Sequence, residues 1–303
     1  MTAARLHARL ALSVSSPVDP FAVAVSEGIW LMQTPLEVGV AGYYLRQGSV
    51  AGICLNSNEP IQRRRFSAAH ELGHHFLGHG SVVDRTDGTS SGSTLDQEAD
   101  ADVFASAFLM PLAVMNAALN RLGIRNASEL AETDVYQVSV EIGVSNAAAT
   151  WRLWELDRLS RGDALRIAKA GTMKTKSALK GSALKGLPRG DLRILNGRDQ
   201  PIEVALQIGD EIVVRFDDDL SDWAWVPGDD HSRHAVAVER LGGKRGFAFV
   251  AMLSGHAMGR IVRVRASGTD TEIVPLNIHV TPGDASLGLA SVQLEARIRE
   301  FLA

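Results

Sequence analysis

The sequence predicts two domains of different class, an α+β domain followed by an all-β domain. Three observations lead there. The chain has 303 residues, about twice the roughly 150 of a typical domain. Long patterns suited to helices dominate its first half, and short alternating runs such as Ile212, Val214, Phe216 and Val274, Leu276, Ile278, Val280 take over in the second. Between them, residues 171–190 read GTMKTKSALKGSALKGLPRG, a tandem five-residue repeat carrying Lys174, Lys176, Lys180, Lys185 and Arg189 with no acid, which has the composition of a basic linker. The expected organisation is a first domain over 1–125, a helical segment over 126–170, a linker over 171–190 and a β-rich sensory or regulatory domain over 191–303.

Composition narrows the function. With 46% hydrophobic and 22% charged residues the chain is ordinary globular protein rather than disordered or fibrous. A formal net charge of -4 gives it no global attraction for nucleic acid or an anionic membrane. The single cysteine, Cys54, can neither close a disulfide within the chain nor build a multi-cysteine zinc site, so a bound metal needs histidines and carboxylates. Cys54 itself, in an apolar strand-like run, reads as a small core residue. The apolar stretch after Arg5, His7 and Arg9 is too short for a signal-peptide core, and the most apolar segment, Ala105 to Leu119, is broken by Pro111 and falls short of the ~20 residues a membrane span needs. The expectation is a cytoplasmic protein that does not enter a membrane.

In the first half, a helix begins after Asp19. Ile29 to Met32, Val38 to Leu45 and Val50 to Leu55 read as strands, the last two joined by a turn at Gln47 and Gly48. Arg63 to Leu77 reads as a helix, Gly78 to Thr94 as a Gly/Ser/Asp-rich loop, and Asp96 to Met110 as a second helix stopped or kinked by Pro111.

The first of these helices contains FSAAHELGHHFLGH, in which His70, Glu71 and His74 form HExxH. Residues four apart on a helix lie on one face, so both imidazoles can reach one ion, and Glu71 sits where a carboxylate can take a proton from a metal-polarised water without binding the metal. A catalytic zinc takes three protein ligands and keeps a fourth position open. His79 lies five residues after His74, out of register with the histidine-rich metzincin pattern, which places its third histidine six residues on. Glu98, in QEADADVFASAFLMP, offers a carboxylate, with Asp102 one turn further on to orient a ligand imidazole; Asp96 and Asp100 are the alternative acids. This arrangement resembles the third-ligand helix of glutamate-type zincins. Tyr43, Tyr44 and His75 are the nearby types able to steady an oxyanion, and nothing in the sequence assigns that role to one of them. His75 and His79 read as surface or packing residues.

GYYL at 42–45, AGICLN at 51–56, AAHELGHHFLGH at 68–79 and ExxADxFAxxFLMP from Glu98 to Pro111 together resemble the ImmA/IrrE-type metallopeptidases, intracellular enzymes that cut helix-turn-helix repressors. The resemblance covers about Asp19 to Leu159. It implies a zincin-like fold, metal ligands His70, His74 and Glu98, a catalytic carboxylate on Glu71, and Asp102 behind a ligand. It implies zinc, with manganese as the alternative, and as substrate a helix-turn-helix repressor in a stress- or phage-related switch. A metal-binding regulator or interaction module without hydrolytic activity is the alternative.

Asp134 to Leu159 resembles a helix-turn-helix, with a turn at Gly143 and Ser145 as N-cap. Its second helix opens Asn146, Ala147, Ala148, Ala149 and reaches its first positive charge only at Arg152, thin equipment for reading DNA. In the C-terminal half, the acidic Asp217, Asp218, Asp219, Asp222, Asp229 and Asp230 read as solvated loops, and Trp223 and Trp225, two apart, as core anchors on one strand face. The run VALQIGDEIVVRFDDDLSDWAWVP resembles the first strands of chagasin-like inhibitor domains, whose Asn-Pro-Thr-Thr-Gly loop is absent here. The resemblance implies an immunoglobulin-like sandwich. Leu294, Ile298, Phe301 and Leu302 mark a closing amphipathic helix.

Overall fold

The computed structural model describes residues 2–13, 15–85, 94–124, 130–180, 190–197, 202–216, 223–241, 246–253, 255–263 and 273–281. Two compact units emerge, one over Met1–Lys169 and one over Ala170–Gly283.

The first unit opens with α1 (Ala3–Arg9) and α2 (Pro20–Ser26); Asp19 caps α2 by accepting from the amides of Phe21 and Ala22, with Pro20 at the position where a missing N–H costs nothing. Strands β1 (Trp30–Thr34), β2 (Val40–Gln47) and β3 (Val50–Asn56) follow. β2 and β3 form the expected hairpin around Gly48, whose φ of +60 suits glycine, while β1 joins the far side of β3 in parallel. After α3 (Ile61–Leu77), the segment expected as loop contains a fourth strand, β4 (Val82–Arg85), antiparallel to β2, which completes the sheet order β1-β3-β2-β4. Polar composition around it hid a strand of four residues, whose order comes from pairing with β2.

α4 (Leu95–Leu109) is started by Thr94 and Gln97 in a reciprocal capping box. Pro111 begins α5 (Leu112–Arg121) at 43° to α4, so this apolar pair is bent; among the described residues no single helix is long and apolar enough to cross a membrane. Alternation along the strands places Leu31, Tyr44, Ile53 and Leu55 on one face of the sheet. They pack with Ala68, Ala69 and Leu72 of α3 and with Phe104 and Phe108 of α4 in one core.

The helix-turn-helix-like pair is α6 (Glu132–Ile142) and α7 (Asn146–Glu155), separated by Gly143 at φ +76 and started by Ser145, whose hydroxyl accepts from the Ala148 amide. Val135, Val138, Ile142, Ala149 and Leu153 belong to the same core as α3 and α4. α8 (Arg161–Ala170) closes the unit with Ala164 and Ile167 buried. Arg65 of α3 ties this pair down: its half-buried guanidinium donates to the carbonyls of Gly143 at 2.9 Å and Val18 at 2.6 Å.

The second unit corrects one expectation at its start. Thr172–Lys180, expected as part of a flexible linker, is a helix, α9, with Thr175 buried and the Lys176 ammonium donating to the Gly190 carbonyl. Its alanine, leucine and lysines are good helix formers, and propensity over the repeat overrides the linker-like composition. The rest of the expected linker, residues 181–189, lies outside the described residues.

Strands β5 (Leu192–Asn196), β6 (Ile202–Gln207), β7 (Glu211–Arg215) and β8 (Trp223–Pro227) follow, then α10 (Asp230–Ala235), β9 (Val236–Arg240), β10 (Gly246–Ala251), β11 (Gly255–Arg263) and β12 (Ile273–Thr281). They form two four-stranded sheets, β5-β7-β10-β9 and β6-β12-β11-β8, sharing one core. Trp223 is buried in that core, and Trp225 meets Phe249 edge-on at 5.1 Å between ring centres, so both tryptophans anchor it. The acidic run at 217–222 and the helix expected around Leu294, Ile298, Phe301 and Leu302 lie outside the described residues.

Arg65→Ala removes the donor that satisfies the end of α6. Unfolding in urea is expected to show a loss of about 2–3 kcal/mol with an unchanged slope, the size of hydrogen bonds to a charged group; a loss below about 0.5 kcal/mol would show that solvent replaces it.

Candidate metal centre

α3 is buried from Ser67 to His74, because the sheet covers one side of it and α4 the other. The two sides receive different chemistry. His70 and His74, four apart, point their Nε2 atoms together at 3.0 Å. From α4, the Glu98 carboxylate straddles both, with Oε2 at 3.4 Å from His70 Nε2 and Oε1 at 3.5 Å from His74 Nε2. Tetrahedral zinc, with bonds of roughly 2.0–2.1 Å, has edges of about 3.3–3.4 Å between its ligand atoms. One ligand atom from each of the three residues lies within 4.8 Å of the other two, so together they form a group that can hold a metal ion.

Glu71 lies next to His70 on the same helix. It is fully buried, and its Oε1 lies 3.1 Å from where a Cβ on Gly42 of β2 would stand, with the Cys54 carbonyl oxygen 3.0 Å from the same point. A side chain at position 42 would push into the carboxylate, so the glycine of GYYL makes room for it. Gly73 does the equivalent on the α4 side: a Cβ there would stand 3.1 Å from the Ala101 Cα and 3.2 Å from its carbonyl oxygen. The two helices touch backbone to backbone at this point, and that brings Glu98 within reach.

The outer nitrogens of both imidazoles are also engaged. His70 Nδ1 lies 2.9 Å from Asp102 Oδ1, one turn beyond Glu98, and His74 Nδ1 lies 2.9 Å from His79 Nδ1. The first contact has the geometry expected of an acid orienting a ligand. The second was not foreseen. His79 follows Gly78, whose φ of +81 ends α3 in a left-handed turn and carries the chain back over its last turn. The legible signal was the glycine after the final helical residue. Asp96 and Asp100 stay exposed on α4 and outside the group.

Burial, and after it the His70 imidazole, lowers the pKa of His74 from the usual 6.5 to about 4, so at neutral pH it is an uncharged ring with a lone pair to offer. Tyr44 and His75 occupy each other: the phenol Oη is 3.0 Å from His75 Nδ1, burial raises the Tyr44 pKa and lowers that of His75. Tyr43, by strand alternation, lies on the other face of the sheet from Tyr44. Cys54 is half-buried on β3, its pKa raised by burial.

The helix bearing both histidines, the acid one helix on, and the strands before them form one continuous stretch that matches a known protein family. Residues 25–153 match the IrrE N-terminal-like domain, Peptidase_M78. All of the groups just described, from Gly42 to Asp102, fall inside this M78 domain. No curated protein matches the chain. Two solved structures are similar to about a third of it. One is a cysteine protease inhibitor from Entamoeba histolytica, at 10% identity, covering 31% of this chain and 100% of that one with a TM-score of 0.24. The other is amebosin, at 11% identity, covering 30% and 97% with a TM-score of 0.22. At those scores neither likeness decides the fold of the β-rich unit.

Two outcomes follow for the M78 domain. Gly73→Ala is expected to force α3 and α4 apart by a few tenths of an ångström and cost about 1–3 kcal/mol of stability, as overpacking does, together with a weaker zinc affinity; unchanged values for both would show that the helices part freely. The second concerns pH. With its pKa depressed in the folded state, His74 resists a proton that the unfolded chain accepts below about 6.5. The metal-free protein keeps the full benefit of a neutral His74 above pH 6.5 and loses it as the pH falls through about 4. Urea midpoints measured across that range should fall less steeply for His74→Gln, which has no such proton to take.

Proposed function

We propose that the chain is a metal-dependent endopeptidase of zincin-like architecture whose substrate is a helix-turn-helix repressor. The observation that carries the reading is the division of labour on α3: two imidazole lone pairs and the Glu98 carboxylate converge on one side, while Glu71, one residue from a ligand, is held separately against Gly42. Among the described residues three donors converge, and three protein ligands with a fourth position left open is the pattern of a catalytic rather than a structural site. Zinc is the ion such a donor set favours, with manganese the alternative.

His70, His74 and Glu98 would hold the ion, which would supply Lewis acidity to a water, lowering its pKa towards about 7, and to the scissile carbonyl. The residues do the rest. Glu71 receives the proton of the attacking water and returns it to the leaving amine, so that the amine departs neutral. The Asp102 carboxylate accepts from His70 Nδ1 and holds the ring with Nε2 inward. Gly42 keeps the space in which the Glu71 carboxylate sits. The match to a peptidase family supports hydrolysis of a peptide bond. The repressor substrate follows from the resemblance of the same stretch to ImmA/IrrE-type enzymes, and with it an intracellular role in a stress or phage response. To the β-rich unit, which we read as an immunoglobulin-like sandwich, we assign the sensory or regulatory part; among the described residues it contributes nothing to the ligand group.

The test incubates the zinc-loaded full chain, and its Glu71→Gln variant, with the helix-turn-helix repressor encoded next to it. Cleavage by the wild type and a rate at least about 100-fold lower for Glu71→Gln, which retains zinc, are expected, since a positioned acid-base group contributes roughly 10²–10⁴-fold. Equal cleavage by both would remove Glu71 from the chemistry. Zinc binding without cleavage by either would leave a metal-binding module and overturn the peptidase reading for this substrate.

A further inference from the structure

A neutral imidazole that offers Nε2 to a metal must carry its proton on Nδ1, and a buried Nδ1–H needs an acceptor. For His70 that acceptor is the Asp102 carboxylate. For His74, which is entirely buried, the group at hydrogen-bonding distance is a second imidazole: His79 Nδ1 at 2.9 Å, with the ring centres 5.0 Å apart and the planes at 65°. Two Nδ1 atoms bond only when one carries hydrogen and the other a lone pair. With Nε2 of His74 turned towards His70 and Glu98, the hydrogen belongs to His74 Nδ1 and the lone pair to His79.

We propose that His79 is a positioning residue for the metal centre, accepting the Nδ1–H of His74 and fixing the tautomer and ring orientation that aim its Nε2 inward. This inference rests on the reading of His70, His74 and Glu98 as metal ligands. It gives the histidine that lies out of register for a ligand a role one shell further out. The local backbone is built for it. Gly78 adopts φ +81 with open space where a Cβ would stand, and the His79 amide then donates to the His74 carbonyl at 2.9 Å, so backbone and ring of His79 both fold back onto the same residue. The two ligand histidines thus have acceptors of different kind, an exposed carboxylate for His70 and a half-buried imidazole for His74. An imidazole acceptor adds no negative charge beside a site that already includes one carboxylate ligand and Glu71.

The experiment titrates zinc into the full-length metal-free chain in competition with a chromophoric chelator, for the wild type, His79→Ala and His79→Asn, with thermal unfolding of each metal-free protein alongside. Loss of an outer partner of a metal ligand costs roughly 10–100-fold in affinity. His79→Ala is expected to bind zinc at least about 10-fold more weakly while its metal-free unfolding midpoint stays at the wild-type value. His79→Asn, whose amide oxygen can accept in the place of Nδ1, is expected to recover most of the loss. A packing role would give no such recovery. Nitrogen-15 spectra of the zinc-loaded wild type, which need no variant to fold, should show His74 protonated on Nδ1 and His79 bare on Nδ1. His79→Ala binding within twofold of wild type, failure of His79→Asn to recover, or a proton on His79 Nδ1 would each overturn the inference while leaving the metal centre in place. A wild-type chain that takes up no zinc would overturn the metal centre and this inference with it.

Discussion

The contact on which the site depends is the one between Gly73 and Ala101. Packed helices ordinarily keep their axes 8–10 Å apart, as their side chains dictate. Here the absence of a side chain at Gly73 lets the Ala101 backbone approach to where a Cβ would be crowded at 3.1 Å. Glu98 lies three residues before Ala101 and Asp102 one residue after it, while His70 and His74 lie three before and one after Gly73. The closest point of the two helices is thus flanked by all four side chains that must meet. A single small residue sets the distance for the entire group, and the stacked rings of Phe76, Phe104 and Phe108 continue the same seam away from it.

That arrangement is costly to the metal-free fold. Three ionisable side chains, His70, Glu71 and His74, lie buried within five residues of one helix. Removing such groups from water carries a penalty that only good partners offset. The lowered pKa of His74 is that penalty made visible, since the ring gives up its charge rather than keep it in the interior. A divalent ion held by His70, His74 and Glu98 would reverse the balance, because a ligand that binds only the folded chain stabilises it in proportion to the logarithm of its concentration over its dissociation constant. Stability and function are therefore coupled through α3, and the apolar core around Leu72, Ala68 and Ala69 supplies what the polar residues do not.

What could be seen in the sequence follows from what is local. HExxH is a pattern within one helical turn, and Pro111 marks the end of the acid-bearing helix, so His70, Glu71 and His74 could be read as a group, while the choice of Glu98 over Asp96 and Asp100 rested on the family resemblance. The hairpin of β2 and β3 was legible for the same reason. Pairings that join distant segments were not. The parallel addition of β1 to β3 and the short β4 depend on partners that no window of sequence contains. Residue type alone could not say what His79 packs against, which a left-handed glycine decides by turning it onto His74, and it misled for the lysine-bearing segment, where helix propensity makes α9 of residues expected as linker. Gly42 stood within a quoted motif, but its reason, the space taken by Glu71, exists only in three dimensions.

The helix-turn-helix-like pair takes its place from the same two helices. Arg65, five residues before His70, donates to the carbonyl of Gly143 at the end of α6. Arg152 of α7 donates at 2.9 Å to the carbonyl of Met110, just past the end of α4, and pairs with Glu155 at 2.8 Å. One guanidinium thus ties α6 to α3 and the other ties α7 to α4. Each carries a charge onto backbone carbonyls that end a helix, where such a donor is most effective. This explains the poverty of α7 as a reading helix in its own terms: Ala149, Thr150 and Leu153 are buried, and its first arginine is committed to Met110. The pair is thus held to the two helices that carry His70, His74 and Glu98 by one guanidinium each.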